Sequence, residues 1–324
     1  MKNWTHPSFL FVFWAAALTA GESSLLYFEA QSVVGYSTHY GDVYRSGMPD
    51  DAMQLNSIGF DYLKKFSGDS GDIGSAALQA RLAYNQDKNE VEPQLYNAYL
   101  KGKTPFADIW AGHNRIAFGL ASYWDTHGTL LQPLPMYGFG FDRDWGVGLS
   151  RDTEHGNMQA TLSSGTGMDY RSNGNWIFAP RISDGVLSVD NYTAGLSFMA
   201  GRTLDTMGYT VMDGDPKDVA LGAVDFAYNH DNIEHKAELD VGSKDGMPAF
   251  AALYRIGVNF MEEDRLKLEG QYVYTDREEM RDHALGTGVT YKLTSELAIR
   301  IMYEWRREMD EHRVIGQLYY YFGV

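Results

Sequence analysis

The sequence predicts an all-β protein: a transmembrane antiparallel up-and-down β-barrel of about 16 strands, with a range of 12–18. Three observations lead to this prediction. The N-terminal residues have the pattern expected of a secretory signal. Apolar and polar side chains alternate in segments of about ten residues. An aromatic-rich strand ends the chain.

The N-terminal segment has the order of features that marks a secretory signal peptide. Lys2 precedes an apolar run at residues 7–18, and the small residues Thr19, Ala20 and Gly21 follow it. This run is too short for a membrane helix, which needs roughly 20 apolar residues. We therefore expect residues 1–20 to be a cleaved signal peptide and residues 21–324 to form the barrel. A permanent helical anchor is the alternative interpretation.

The composition narrows the function. The chain has no cysteine, which excludes disulfides, thiolate metal ligands and covalently attached haem. The formal net charge is -16, and removal of Lys2 makes it one unit more negative. This charge argues against nucleic acid as a partner and mildly favours cations over anions in an aqueous path. The 34 glycines, 22 tyrosines and 9 prolines suit many amphipathic strands, although a soluble β-sandwich has a similar composition.

Alternation is strongest in the C-terminal third of the chain. In residues 264–275, Leu266 and Leu268 alternate with Lys267 and Glu269. The same split occurs in the ranges 233–241, 250–260 and 296–306. One face of such a strand suits lipid and the other suits a water-filled lumen. A soluble sandwich with its polar faces in bulk solvent is the alternative.

Weaker alternation predicts further strands at residues 25–36, 55–66, 76–84, 94–103, 107–113, 139–150, 158–163, 176–182, 192–201, 206–212, 220–229, 286–293 and 314–324. An even number of strands is expected, with both chain ends in the periplasm. A barrel of this size leaves a water-filled lumen unless a loop or plug fills it.

The last residues form a distinctive strand. Gly316, Leu318, Tyr320, Phe322 and Val324 share one parity up to the end of the chain. Such a strand resembles the terminal strand that the outer-membrane assembly machinery recognises, whereas an exposed aromatic edge strand in water would promote aggregation. We therefore expect this machinery, outer-membrane lipid and lipopolysaccharide as partners, and the outer membrane of a Gram-negative cell as the location.

Residues 98–119 resemble a segment of the phosphate-selective porins of the O and P type. In those proteins a strand with Ala-Tyr is followed by a strand that ends in a glycine, a basic residue and Phe-Gly. The corresponding residues here are Ala98, Tyr99, Gly112, Arg115, Phe118 and Gly119. The pattern departs at Ala117, where proline is common, and no lysine cluster suited to phosphate is evident in the sequence. The resemblance implies a porin without implying phosphate selectivity.

Residues 121–137 have little strand character. This segment either folds into the barrel and narrows it, or it is a solvated extracellular loop. In the first case the candidate constriction residues are Arg115, Asp125, His127, Asp142 and Arg143. Further lumen candidates from the strands are Arg255, Arg265, Lys267, Glu269, Lys292, Arg300, Glu304 and Arg306. These charges either filter solutes through a transverse field or pair with one another and keep the wall wet.

The predicted function is an outer-membrane porin that allows passive diffusion of small polar solutes or ions, with a homotrimer left open. One alternative is a barrel sheath or scaffold for a periplasmic partner such as a multihaem cytochrome. The other is a barrel hydrolase, for which Asp142 with Asp144 or Asp282 with His283 would be candidate pairs. No catalytic residue and no cofactor is predicted. Acidic turns at 213–215, 276–282 and 308–311 lack the spacing of a calcium loop, so no metal site is predicted.

Overall fold

The computed structural model describes residues 23–46, 54–69, 71–125, 129–207, 209–277 and 280–324. The predicted signal peptide and the candidate residue His127 lie outside the described residues. In the described part of the chain, no helix is long and apolar enough to cross a membrane.

The described residues form one sheet of 17 strands. The strands are β1 (Ser24–Ser37), β2 (Asp42–Tyr44), β3 (Ser57–Gly68), β4 (Gly71–Asn85), β5 (Glu90–Lys103), β6 (Asp108–Asn114), β7 (Asp144–Asp152), β8 (Gly156–Ser163), β9 (Trp176–Asp184), β10 (Tyr192–Met207), β11 (Thr210–His230), β12 (Ile233–Lys244), β13 (Met247–Phe260), β14 (Leu266–Arg277), β15 (Met280–Lys292), β16 (Leu297–Arg306) and β17 (Glu311–Gly323). The short helices are α1 (Leu187–Asp190) and three 3-10 turns at Leu120–Ser122, Leu134–Tyr137 and Glu262–Asp264.

The sheet closes into a barrel because its first and last strands pair. Tyr27 lies opposite Gly323, and Ser37 lies opposite Arg313. On its other side β1 pairs with β3, while the short β2 pairs only with the last three residues of β1. Without β2 the wall has 16 antiparallel strands, which confirms the predicted fold class. We call the end where β1 begins and β17 finishes the terminus end, and the opposite end the loop end.

The outer surface carries the apolar parity of the strands. On β12, Leu239 and Val241 are exposed, while Glu238 and Asp240, which alternate with them, are buried inside the barrel. On β16, Ile299 and Ile301 are exposed in the same way. Each exposed apolar side chain would cost about 25 cal/mol per Å² in water, so a continuous apolar belt belongs in lipid. The soluble-sandwich interpretation is therefore wrong, and the closed barrel is of the outer-membrane type.

Two predicted strands differ from the structure. Of the predicted range 206–212, the first two residues end β10 and the last three begin β11, and Thr206 pairs with Val211. Their alternation belongs to two strands that meet at a turn. The range 139–150 was predicted as one strand, but β7 begins only at Asp144. Phe139 is fully buried in the preceding loop, so its hydrophobicity reflects loop packing and not a lipid-facing position.

The described residues of the long connection between β6 and β7, 115–125 and 129–143, lie inside the barrel; we call them the inner loop. Its side chains Ile116, Phe118, Leu120, Leu134 and Phe139 are buried. They pack against apolar inward-facing side chains of β9 to β15, namely Ile177, Ala179, Met199, Val219, Leu221, Ala223, Ala249, Ala251, Leu253, Val273 and Ala284. The loop and this side of the wall thus share a hydrophobic core, and the interpretation as a solvated extracellular loop is wrong.

Candidate functional site

Long polar side chains of the wall hold the inner loop in place. Arg255 donates from Nη2 to the carbonyl oxygen of Leu131 at 2.6 Å, and Gln271 Nε2 donates to that of Gln132 at 2.9 Å. Nearer the loop end, Lys244 Nζ donates to the carbonyl oxygen of Gly138 at 2.7 Å. Loop carbonyls that have no strand partner need such donors once they are removed from water. Strands β12, β13 and β14 supply them.

The inner loop approaches the wall closely at Gly119. Its N–H donates to Ser197 Oγ at 3.0 Å. Its φ is +55°, and a Cβ added there would lie 1.7 Å from Oε1 of Glu238. Both the backbone conformation and the lack of space require glycine. Phe118 beside it is buried in the shared core. The Phe-Gly pair therefore seats the loop against the wall.

Four of the constriction candidates lie together at the start and end of the inner loop. Arg115 Nη2 lies 3.1 Å and Arg143 Nη2 lies 3.7 Å from Oδ1 of Asp125. Asp142 pairs with Nη1 of Arg143. The side chain of Asp125 is 64 % exposed, so it faces open space between two arginines. We call these four residues the loop cluster.

Arg143 is the anchor of the loop cluster. Its guanidinium lies 3.7 Å from the ring centroid of Tyr96, and its Nε donates to Asn97 Oδ1 at 2.8 Å. Burial opposes the charged form of Arg143, but Asp142, Tyr96 and Asp125 outweigh this effect, so its pKa lies above the ordinary value. The guanidinium is a permanent positive charge that fixes the acidic side chains around it.

A second group of candidates lines a cavity of about 180 Å³ between the inner loop and the wall. Arg255, Lys267, Glu269 and Arg300 all line it; we call them the wall cluster. Oε1 of Glu269 lies 3.5 Å from Nζ of Lys267 and 3.9 Å from Nη1 of Arg255. These four residues come from three strands, and the barrel register brings them together.

Glu304 and Arg306 lie nearer the loop end, in contact with other residues. Tyr137 of the inner loop donates to Glu304 Oε2 at 3.0 Å. Burial and the nearby carboxylate of Glu304 raise the pKa of Tyr137 well above its ordinary value, so its hydroxyl remains a donor. Arg306 Nη2 lies 2.6 Å from Oδ2 of Asp282. Both candidates contribute to holding the loop end of the barrel together.

Arg265 and Lys292 lie at the turns of the terminus end and do not join the other candidates. Arg265 immediately precedes β14 and lies 5.8 Å from the ring centroid of Tyr291. Lys292 ends β15 and donates to the carbonyl oxygen of Glu263 at 3.2 Å. The sequence correctly assigned Arg265 and Lys292 to the polar face of their strands. The strands end at these residues, however, so the two side chains do not reach the lumen.

Sequence reasoning missed two residues that line the cavity of the wall cluster. Lys236 lines the same cavity, and Trp124 of the inner loop forms part of its wall. Lys236 lies on the polar parity of β12, which was the available signal, but nothing in the sequence connects it to Lys267. Trp124 gave no signal because the loop has no alternation.

The pairs considered for a hydrolase have other contacts. Asp144 accepts hydrogen bonds from Ser164 Oγ at 2.6 Å and from the N–H of Gly167 at 3.1 Å. Asp282 binds Arg306, whereas His283 is bonded through Nδ1 to the hydroxyl of Tyr272 at 2.7 Å. Within the described ranges, no group of three or more histidine, cysteine and acidic side chains could hold a metal ion.

Comparison with known proteins places the fold among outer-membrane porins. The anion-selective porin from Comamonas acidovorans is 13 % identical, with a TM-score of 0.66 over 93 % of this chain and 100 % of that chain. OmpF of Salmonella typhi, in complex with daunomycin, is 11 % identical, with a TM-score of 0.69 over 93 % and 98 %. The trimer form of OmpT, an outer-membrane protein of Vibrio cholerae, has a TM-score of 0.64 and 11 % identity over 93 % and 99 %.

At such identities the likeness shows the fold alone. No protein-family model matches the sequence, and no curated protein matches it. The resemblance to phosphate-selective porins is therefore supported only in its coarser part, the porin barrel.

Proposed function

We propose that this chain is a porin through which small polar solutes and ions diffuse passively across the outer membrane. The observation that carries the proposal is the loop cluster, which places Asp125, exposed, between Arg115 and Arg143 on a loop folded inside a 16-stranded barrel. A loop in that position narrows the lumen and lines it with charge. Charges of both signs across a narrow aqueous path orient dipolar solutes and discriminate between ions.

The inner loop also bears on the sheath alternative. A periplasmic partner would need the lumen for itself, but the loop crosses it and packs against β9 to β15. It also reaches the neighbouring part of the wall, where Leu130 and Leu131 pack with Val33, Met302 and Ile315 of β1, β16 and β17. In a porin such a loop forms the constriction. In a sheath, the partner protein would have to displace the inner loop together with the buried residues that hold it against the wall.

A homotrimer is the assembly that we propose for this porin. One structural neighbour is described as a trimer form. On the outer surface of this chain, an apolar groove of about 530 Å³ runs across β1, β3, β4 and β5, lined by Phe28, Ile58, Phe60 and Leu82 among others. We expect the purified protein to migrate as a trimer on a semi-native gel and Leu82→Arg to shift it to the monomer. A monomeric wild-type protein would contradict this assembly.

The porin proposal is tested by conductance. The mature chain, inserted into planar bilayers, is expected to give stable open steps. Asp125→Asn should lower the cation-to-anion permeability ratio by up to about fivefold, since a unit charge at 4 Å in water contributes about 1 kcal/mol. Asp231→Asn, at an exposed turn of the terminus end, is the control and should leave the ratio unchanged.

Two outcomes would contradict the proposal. A folded, heat-modifiable barrel that never conducts would favour the sheath alternative. Open steps whose ion preference does not change in Asp125→Asn would show that the constriction lies away from the loop cluster.

A further inference from the structure

The cavity that contains the wall cluster lies in the half of the barrel toward the terminus end. Its lining includes Trp124, Lys236, Arg255, Lys267, Glu269 and Arg300. Lys267 is the second residue of β14, and Arg300 is the fourth of β16; both strands begin at the terminus end. Arg115 follows β6 and Arg143 precedes β7 at the loop ends of those strands, so the cavity lies nearer the terminus end than the loop cluster does.

Cations outnumber carboxylates in this cavity. Lys236 and Lys267 converge on one acid, with their Nζ atoms 3.1 and 2.8 Å from Oε2 of Glu234. Glu269 lies at the longer distances of 3.5 Å from Lys267 and 3.9 Å from Arg255. The cavity is thus positively charged within a chain whose net charge is -16. Its sign is opposite to the preference for cations that the overall composition suggests.

One side of the cavity is apolar. The guanidinium of Arg255 lies 4.3 Å and the ammonium of Lys236 lies 5.4 Å from the ring centroid of Trp124. Leu130 and Leu131 of the inner loop line the same side. The aromatic ring holds both cations in place, and the apolar wall lowers the local dielectric, which strengthens attraction to an anion.

We propose that this cavity is a binding site for small organic dianions of the dicarboxylate class. The inference rests on the proposed porin function and names a solute class for it. Its volume of about 180 Å³ is many times the roughly 10–15 Å³ that a single water needs, which leaves room for a four-carbon dicarboxylate. The two ammonium groups and Arg300 offer donors to two carboxylates, while Glu234 and Glu269 weaken the hold enough for the solute to leave.

Succinate is the probe, and succinamide, of similar size but uncharged, is the control ligand. Calorimetry on the full mature chain in detergent is expected to show saturable succinate binding and no succinamide binding. Lys236→Gln combined with Lys267→Gln should weaken succinate binding by about tenfold or more, since both ammonium groups face the cavity. Glu269→Gln should strengthen binding. Lys292→Gln, at the rim of the same end, should change nothing.

Conductance of the same preparations separates this inference from the proposed function. Open channels that bind no succinate, or whose succinate binding survives the double lysine substitution, would overturn the dianion site and leave the porin intact. Succinate binding to a barrel that never conducts would overturn the porin function and leave the site. If the double substitution prevents folding, Glu269→Gln alone decides: weaker or unchanged binding there would contradict the site.

Discussion

Buried arginines on aromatic rings are the recurring contact between the inner loop and the wall. Arg143 lies over Tyr96, Arg255 over Trp124, and Arg181 over Tyr123. A guanidinium can donate in its plane while its flat face lies against a ring, which a lysine cannot do equally well. Buried charges also need acceptors, and Arg181 has a two-pronged pair with Asp225 at 2.7 and 3.1 Å. These contacts fix the loop where apolar packing alone would let it slide.

At Gly119 the structure predicts a large effect of a single methyl group. Gly119→Ala should destabilise the barrel by about 2–4 kcal/mol, because the new Cβ meets the Glu238 carboxylate and the backbone keeps a left-handed φ. Chemical unfolding in detergent would measure the change. Gly246→Ala is the matched control, since its φ is +75° but no atom lies within 4 Å. Equal losses in the two variants would show that φ strain alone is responsible and that the contact with Glu238 is not.

Only some of the residues that line the cavity of the wall cluster could be predicted from the sequence. Parity identified the inward-facing charges of β13, β14 and β16, since alternation has a period of two and one face is apolar. The grouping of those charges depends on register: Lys236 lies opposite Arg255, which lies opposite Gln271. A single sequence does not specify register, so Lys236 was overlooked although it lies on the correct face. Trp124 lies on a loop, where no period constrains the side chains.

The inner loop behaves as an element with its own amphipathic character. One side presents Ile116, Phe118 and Leu134 to the apolar part of the wall, and the other presents Arg115 and Asp125. Alternation cannot show this, because a loop has no fixed side-chain period. The sequence therefore predicted where the loop lies along the chain but left open whether it enters the lumen. Phe139, which the predicted strand at 139–150 included, is instead buried with the loop core and reflects its packing inside the barrel.

Release of the inner loop should widen the channel. Arg255→Ala removes the donor to Leu131 and the cation over Trp124, so the loop segment around residue 131 loses its hydrogen bond to β13. We expect single-channel conductance to rise by about twofold, with noisier open states, because loops with fewer tethers fluctuate more. Arg281→Ala, exposed at the loop end of β15, is the control and should leave conductance unchanged. A lower conductance in Arg255→Ala would mean that the loop collapses into the path.

At the scale of the whole molecule, closure of the sheet explains why the fold was the most predictable feature. Each strand satisfies its backbone only through two neighbours, so a barrel in lipid leaves no free edge and demands alternation in every strand. The chain meets this demand from β1 to β17, and Tyr36 and Val314 pair across the seam with both side chains outward. The predicted ranges of the short strands β6, β8 and β9 lie within two residues of the observed bounds. The long strands β10 and β11 extend well beyond the predicted ranges 192–201 and 220–229, because polar residues such as Asp213, Asp215 and Lys217 interrupt the apolar alternation toward the loop end.

The depth of the barrel in the membrane can be tested on one strand. Ile301 lies in the middle of β16 and is exposed outward, whereas Leu297 has the same parity but begins the strand at the terminus end. Ile301→Arg should cost about 2–4 kcal/mol of unfolding free energy and Leu297→Arg about 0–1 kcal/mol, because arginine is costly at the bilayer midplane and cheap at the interface.

Reversible denaturant unfolding in lipid vesicles, followed by tryptophan fluorescence, measures both variants of this pair. The comparison is internal: the same substitution on the same face of one strand separates membrane depth from any general effect of a surface charge. Equal losses would mean that β16 does not cross a bilayer with Ile301 near its centre. A loss confined to Ile301→Arg would place the apolar belt around the middle of the strands, with the terminus end at an interface and the wall cluster near that side of the membrane.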